Sequence, residues 1–183
     1  MDITSYYQVQ DVFTSEECDR IVETYSKKYL HKGSIISGTR VQSRKSKILW
    51  IEFAPETEWI YKKLYEVSKK INEEKYKFNM DNAAFEKIQF TQYNEGDHYE
   101  WHIDTGPMHT SFRKISITVQ LSDPEKYEGG QLQIGVTDEL AQSAIQDKGS
   151  VTIFPSIVRH RVTPVTKGTR YSLVAWVCGP PFC

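Results

Sequence analysis

Hydrophobic positions along the chain change their period near residue 84. Before it, apolar side chains recur at helical spacing. Thr14 followed by Glu17 is a capping-box pattern, and Cys18, Ile21, Val22, Tyr25 and Tyr29 then share one helical face. A second helix is predicted after Pro55, with Trp59, Ile60, Leu64, Val67 and Ile71 on its apolar stripe. Between the two, residues 48–53 read as a strand. Beyond residue 84 the pattern breaks into short strands at 85–93, 98–103, 114–121, 131–135, 150–154, 159–163 and 170–177. Turn chemistry separates them at Asn94, Glu95 and Gly96, at Asp123 and Pro124, at Gly129 and Gly130, at Lys148 and Gly149, and at Lys167 and Gly168. Many short strands at this spacing predict a sandwich or jelly roll. Helices followed by strands make the chain α+β, not a series of βαβ units. The helices have a plain role, covering one face of a sheet. With 183 residues and no repeat or flexible linker, one domain over 1–183 is expected, with a helical support region at 1–84 and a strand-rich core at 85–178.

Composition narrows the functions. A net charge of −1 offers no bulk attraction to nucleic acid or to an anionic membrane. No apolar run approaches the roughly 20 residues that span a bilayer. The N-terminus lacks the basic start and apolar stretch of a signal peptide. Cys18, Cys178 and Cys183 form no disulfide framework and no metal-type spacing, so the expected setting is a reducing cytoplasm. One basic cluster, Arg40, Arg44, Lys45 and Lys47, has two readings: a solvated loop, or a loop that meets an acidic or phosphate-bearing substrate.

Candidate chemistry starts at residues 93–106, YNEGDHYEWHIDTG. His102 and Asp104 are two apart, and on an extended strand i and i+2 point to one face. Alone, H-x-D is a weak signal. GSVTIFPSIVRHRV places His160 just after an apolar strand and Pro155, where it could complete the set. Two imidazoles and one carboxylate on one face of an octahedron are typical of non-haem Fe(II) oxygenases. Ten residues on, RYSLVAWV puts Arg170, Ser172, Val174 and Trp176 on one strand face and Tyr171, Leu173, Ala175 and Val177 on the other. An inward-pointing Arg needs a partner, and a carboxylate ligand suits the planar guanidinium. The alternative is a solvated strand end.

H-x-D, a distal His and a basic residue about ten positions on, in a strand-rich half, resemble the Fe(II)/2-oxoglutarate-dependent dioxygenase superfamily. The similarity is to its prolyl 4-hydroxylase-like branch and the bacterial PKHD-type hydroxylases. Q-Y-N-E-G-D-H-Y-E-W-H-I-D, L-S-D-P-E-K-Y-E-G-G-Q-L and V-F-T-S-E-E-C-D-R-I-V are similar to segments of that branch, and the resemblance spans about residues 10–178. It implies a double-stranded β-helix (a cupin-like jelly roll) with the N-terminal helices packed on one sheet. It also implies Fe(II), 2-oxoglutarate and O2, with ascorbate as a reductant. Carried over by position, His102, Asp104 and His160 would bind metal and Arg170 would grip the distal carboxylate of 2-oxoglutarate. Tyr93 of the Y-x-x-G element would donate its hydroxyl to that cosubstrate, Gln120 and Leu132 would lie beside it, and Ser172 would add a hydrogen bond. Gln120 is where related enzymes differ.

The resemblance further implies hydroxylation of a C–H bond with release of succinate and CO2. The substrate it favours is a prolyl residue in a protein or peptide, clamped by the loops at 31–47 and 105–113. A free amino acid or small metabolite is the other reading. Tyr99 and Trp101 are either core residues or aromatic walls of the site, while His31, His98 and His109 are read as structural or surface residues. Outside enzymology, a metal-binding cupin would use similar ligands but has no need of Arg170. A nucleic-acid oxygenase fits the near-neutral charge poorly.

Overall fold

The computed structural model describes residues 5–28, 30–33, 43–80, 83–135 and 137–180. The expected places of Tyr29, Arg40 and Cys183, and most of the 31–47 loop, lie outside them. In chain order the first part contains β1 (Tyr7–Val9), α1 (Ser15–Ser26), β2 (His31–Lys32), β3 (Arg44–Lys45), β4 (Lys47–Ile51) and α2 (Glu58–Ile71). Then come β5 (Ala84–Phe85), β6 (Ile88–Tyr93), β7 (His98–His102), β8 (Arg113–Gln120), β9 (Tyr127–Gly129) and β10 (Leu132–Ile134). The chain closes with β11 (Gln142–Ser143), β12 (Val151–Pro155), β13 (His160–Val162), β14 (Val165–Gly168) and β15 (Arg170–Cys178).

The strands form a major sheet in the order β1-β12-β8-β15-β6-β4-β2, with β5 paired to β15, and a minor sheet in the order β11-β10-β13-β7-β3. β9 and β14 pair separately. This is the double-stranded β-helix with α+β character. The first 84 residues supply more than helices, because β1, β2 and β4 extend the major sheet and β3 the minor one.

Period-2 alternation assigns the two faces of the major sheet to different work. In β8, Ile115, Ile117 and Val119 are fully buried in a core shared with Val151, Ile153, Leu173 and Ala175, against Ile21, Ile60 and Leu64 of the helices. Complete burial of each such side chain contributes about 2 kcal/mol. The alternate residues Ser116, Thr118 and Gln120 turn inward, as do Arg170, Ser172, Val174 and Trp176 of β15. Apolar residues thus bind the helix layer, and a mostly polar set faces the space between the sheets.

Local chemistry fixes the helices. The Thr14 hydroxyl accepts from Glu17 N at 3.2 Å and the Glu17 carboxylate accepts from Thr14 N at 2.9 Å, closing the capping box. That carboxylate also receives Lys63 Nζ at 2.7 Å, tying α1 to α2. Gly149 at φ +84 lies where a Cβ would come within 1.9 Å of the Phe13 carbonyl, so glycine is required where the β11–β12 connection passes α1.

Candidate metal and cosubstrate site

One turn, one bulge and one sheet register bring the site together. His102 ends β7, and its partner across the minor sheet is His160, the first residue of β13. The pairing advances from His102 to Tyr99 on β7 while it moves from His160 to Val162 on β13, so β7 carries an extra residue. The bulge puts Tyr99 on the side of His102. Their rings stack with centroids 3.5 Å apart. Asp104 follows β7 in a turn held by hydrogen bonds from its own N–H and that of Thr105 to Ser156 O, at 2.9 and 3.1 Å.

The ligating atoms of His102, Asp104 and His160 lie within 4.8 Å of one another. Each imidazole directs Nδ1 at a backbone carbonyl, His102 at Glu100 O (2.7 Å) and His160 at Val158 O (3.0 Å). A carbonyl only accepts, so Nδ1 carries the proton and the Nε2 lone pair is free. Both Nε2 atoms face the Asp104 carboxylate, at 3.6 and 3.5 Å. Burial and the adjacent His160 push the His102 imidazole down to about 3. Burial alone would raise Asp104, but both imidazoles and the Ser116 hydroxyl outweigh it and hold the carboxyl below its usual range. Ser116 donates to Asp104 Oδ2 at 2.6 Å and lies 3.0 Å from the Ser156 hydroxyl. Two imidazoles fixed through Nδ1 and an oriented carboxylate are a donor set that fits Fe(II).

The cluster opens into a cavity of about 1660 Å³ between the sheets, lined among others by Tyr93, Leu132, Arg170, Ser172 and Trp176. Arg170 is 2% exposed, and no carboxylate lies within ion-pair distance of it among the described residues. A buried, unpaired guanidinium is costly, so the cavity beside it suits a carboxylate ligand such as the distal end of 2-oxoglutarate. Its Cζ lies 5.6 Å from the Tyr93 ring centroid.

Gln120 stands behind this arginine. Its Oε1 accepts from Arg170 Nε at 3.2 Å, and its amide donates to the Tyr127 hydroxyl, which also receives Gln146 Nε2 at 3.0 Å. The guanidinium groups of Arg159 and Arg161 lie 5.0 and 4.7 Å from the Trp101 ring centroid, and the Trp101 N–H donates to Asp138. His98 and His109 line the outer cavity, and His31 lies on the edge strand β2. Ser116, Tyr127 and Gln146 were missed in the sequence. For Ser116 the signal was present, in the alternation of polar and apolar residues along β8.

A jelly roll with two imidazoles, a carboxylate and a buried arginine in one cavity defines the class, a metal-dependent oxygenase scaffold. Residues 88–178 match the 2OG-Fe(II) oxygenase superfamily, and the chain belongs to it. A PKHD-type hydroxylase of Gloeothece citriformis is 46% identical over 93 residues, covering 49% of this chain and 41% of that protein. One from Hyphomonas neptunium is 41% identical over 87 residues, covering 45% and 38%. The chain thus spans about two fifths of the length of the curated relatives it matches. Among solved structures, a Pseudomonas putida prolyl-4-hydroxylase aligns with a TM-score of 0.72 at 19% identity, covering 96% of this chain and 92% of that one. A Trichoplax adhaerens prolyl hydroxylase in complex with a hypoxia-inducible factor peptide fragment aligns at 0.74 and 16% identity, covering 96% and 84%. At these identities the likeness is one of fold. Among the described residues, no helix is long and apolar enough to cross a membrane.

Proposed function

We propose that this protein hydroxylates a C–H bond of a peptide, at a prolyl residue, using Fe(II), 2-oxoglutarate and O2. In this reading His102, Asp104 and His160 hold the metal. Arg170 receives the distal carboxylate of the cosubstrate, Tyr93 donates its hydroxyl to it, Ser172 adds a hydrogen bond, and Leu132 shields it from water. When bound, iron would supply the redox chemistry by which O2, the oxidant, takes two electrons from the substrate C–H bond and two from 2-oxoglutarate, one oxygen atom ending in the new hydroxyl and the other in succinate, with loss of CO2. The protein's own work is positioning: carbonyl-fixed Nδ1–H groups aim both imidazoles, Ser116 orients Asp104, and Gln120 turns the guanidinium of Arg170. No side chain is assigned as general base. The free thiols of Cys18 and Cys178 suit a reducing, cytoplasmic setting.

The observation that carries the reading is Arg170, buried without a carboxylate partner among the described residues, in the same cavity as the His–Asp–His cluster. A peptide is favoured over a free amino acid because the cavity exceeds the roughly 300–1,000 Å³ of ordinary small-molecule sites. The Trichoplax neighbour, solved with a peptide, points the same way. Calorimetry under nitrogen tests the cosubstrate assignment. Fe(II)-loaded protein should bind 2-oxoglutarate, and in air with a peptide substrate it should release succinate. Binding that Arg170→Ala leaves unchanged would refute it.

A further inference from the structure

Three arginines are buried among the described residues, and all three line the cavity: Arg44 at 9% exposure, Arg113 at 8% and Arg170 at 2%. Arg113 has its counter-charge, Glu86, held through Nε at 2.7 Å and Nη2 at 2.6 Å. Arg170 has none among the described residues, and in the proposed reaction the cosubstrate supplies it. Arg44 is the remaining case. Its Nε donates to Ser46 Oγ at 2.9 Å and its Cζ lies 4.7 Å from the Tyr99 ring centroid, but no carboxylate is within ion-pair distance among the described residues. The neighbouring segment 34–42, SIISGTRVQ, contains no Asp or Glu that could serve. Nearby acids are engaged elsewhere, Glu100 with His98 at 3.6 Å and Asp97 with Lys45 at 3.3 Å.

The position is informative as well as the charge. Arg44 packs on Tyr99, which stacks on His102. The guanidinium is one aromatic ring away from a proposed metal ligand, and it stands on the minor sheet whereas Arg170 stands on the major one. With Nε occupied, its two terminal nitrogens can present a planar fork to one carboxylate.

We propose that Arg44 receives a carboxylate of the substrate, so the substrate class is an acidic peptide with Asp or Glu close to the oxidised residue. One ring thickness plus van der Waals contact corresponds to about two residues of extended chain. This rests on the peptide-hydroxylase reading above and names the charge it requires. Lys32, which lines the same cavity, adds to the attraction for an anionic segment.

The test uses the whole protein with Fe(II) and 2-oxoglutarate under nitrogen. Three fluorescein-labelled peptide pools share a randomised centre and carry Asp/Glu, Asn/Gln or Lys/Arg at the two positions on each side. Fluorescence anisotropy should show the acidic pool binding about tenfold or more tighter than the amide pool. Arg44→Gln should bring the two within about twofold, Arg44→Lys should keep part of the preference, and Arg44→Glu should shift it to the basic pool. Equal affinity of the wild-type protein for acidic and amide pools overturns the proposal without any variant. So does failure to bind any pool, or an acid preference that persists in Arg44→Gln. Calorimetry with 2-oxoglutarate alone keeps the two ideas apart: its failure sinks the cosubstrate assignment, whereas a missing charge preference beside normal 2-oxoglutarate binding sinks only this one.

Discussion

At the inner end of the cavity, Arg170 is backed by a run of three side chains, Gln120, Tyr127 and Gln146, all supplied by strands or connections of the barrel. At the outer end, Arg44 has, among the described residues, one hydroxyl, that of Ser46, and one aromatic ring. Both are buried cations without a carboxylate partner among the described residues, yet one is braced and the other lightly held. The difference matches what the proposed reaction asks of each end. A cosubstrate is the same molecule in every turnover, so a guanidinium fixed in advance costs least to bind it. A peptide arrives with its own conformational freedom, and a less constrained arginine on a short strand can meet it. Arg113 shows the third possibility, an arginine paired within the protein and therefore structural.

The sharpest break removes what both ends share. Asp104→Ala or His160→Ala should lower metal affinity by about a hundredfold or more, read by metal titration, and should abolish succinate release. Normal affinity in either variant would dissolve the comparison, since no reaction centre would lie between the two arginines. The same cluster makes a pH prediction for the metal-free protein. The His102 imidazole lies at about 3 when folded, against 6.5 ordinarily. Between those values the unfolded chain binds a proton that the folded one refuses, so stability falls as pH drops through that window. Asp104, already below its usual value of 3.8, adds a further loss only under more acid conditions. Thermal midpoints recorded from pH 7 to 4 should slope downward in the wild type and less so in His102→Gln. Identical slopes would refute the assignment to this imidazole.

Next in size is the inner arginine. Arg170→Ala should weaken 2-oxoglutarate by about a hundredfold while leaving metal titration near the wild-type value. A parallel loss of metal would mean that Arg170 supports the cluster and not the cosubstrate.

Much of this was legible along the chain because it depends on local period. RYSLVAWV states both faces of β15, and in the structure Arg170, Ser172, Val174 and Trp176 line the cavity while Leu173, Ala175 and Val177 join the core. The capping box likewise needs only four consecutive residues. What could not be read depends on register between distant strands. Arg44 lies inside the protein because β3 pairs it with Tyr99, 55 residues on, and a two-residue strand has no period to announce itself. The bulge in β7 is a second case. Tyr99 and His102 are three apart, a spacing that regular alternation assigns to opposite faces, and the extra residue against β13 reverses that. Strands β1, β2, β9, β11 and β14, too short for a pattern, escaped for the same reason.

The smaller predictions grade the bracing itself. Gln120→Leu removes the acceptor of Arg170 Nε without touching the cavity wall. 2-Oxoglutarate affinity should fall about fivefold, the worth of roughly one hydrogen bond, with KM rising more than kcat falls. Tyr127→Phe acts one step further back: it deletes the hydroxyl that receives both Gln120 and Gln146 and leaves the ring in place. Gln120 can then rotate, so Arg170 loses orientation but not its partner, and affinity should fall only about twofold to threefold. The double variant decides whether the two act as a series. If Tyr127 works through Gln120, adding Tyr127→Phe to Gln120→Leu should cost nothing further, because the link it steadies is already gone. Full additivity in calorimetric affinity would show instead that Tyr127 acts on the pocket independently, and the inner end would then be no more braced than the outer.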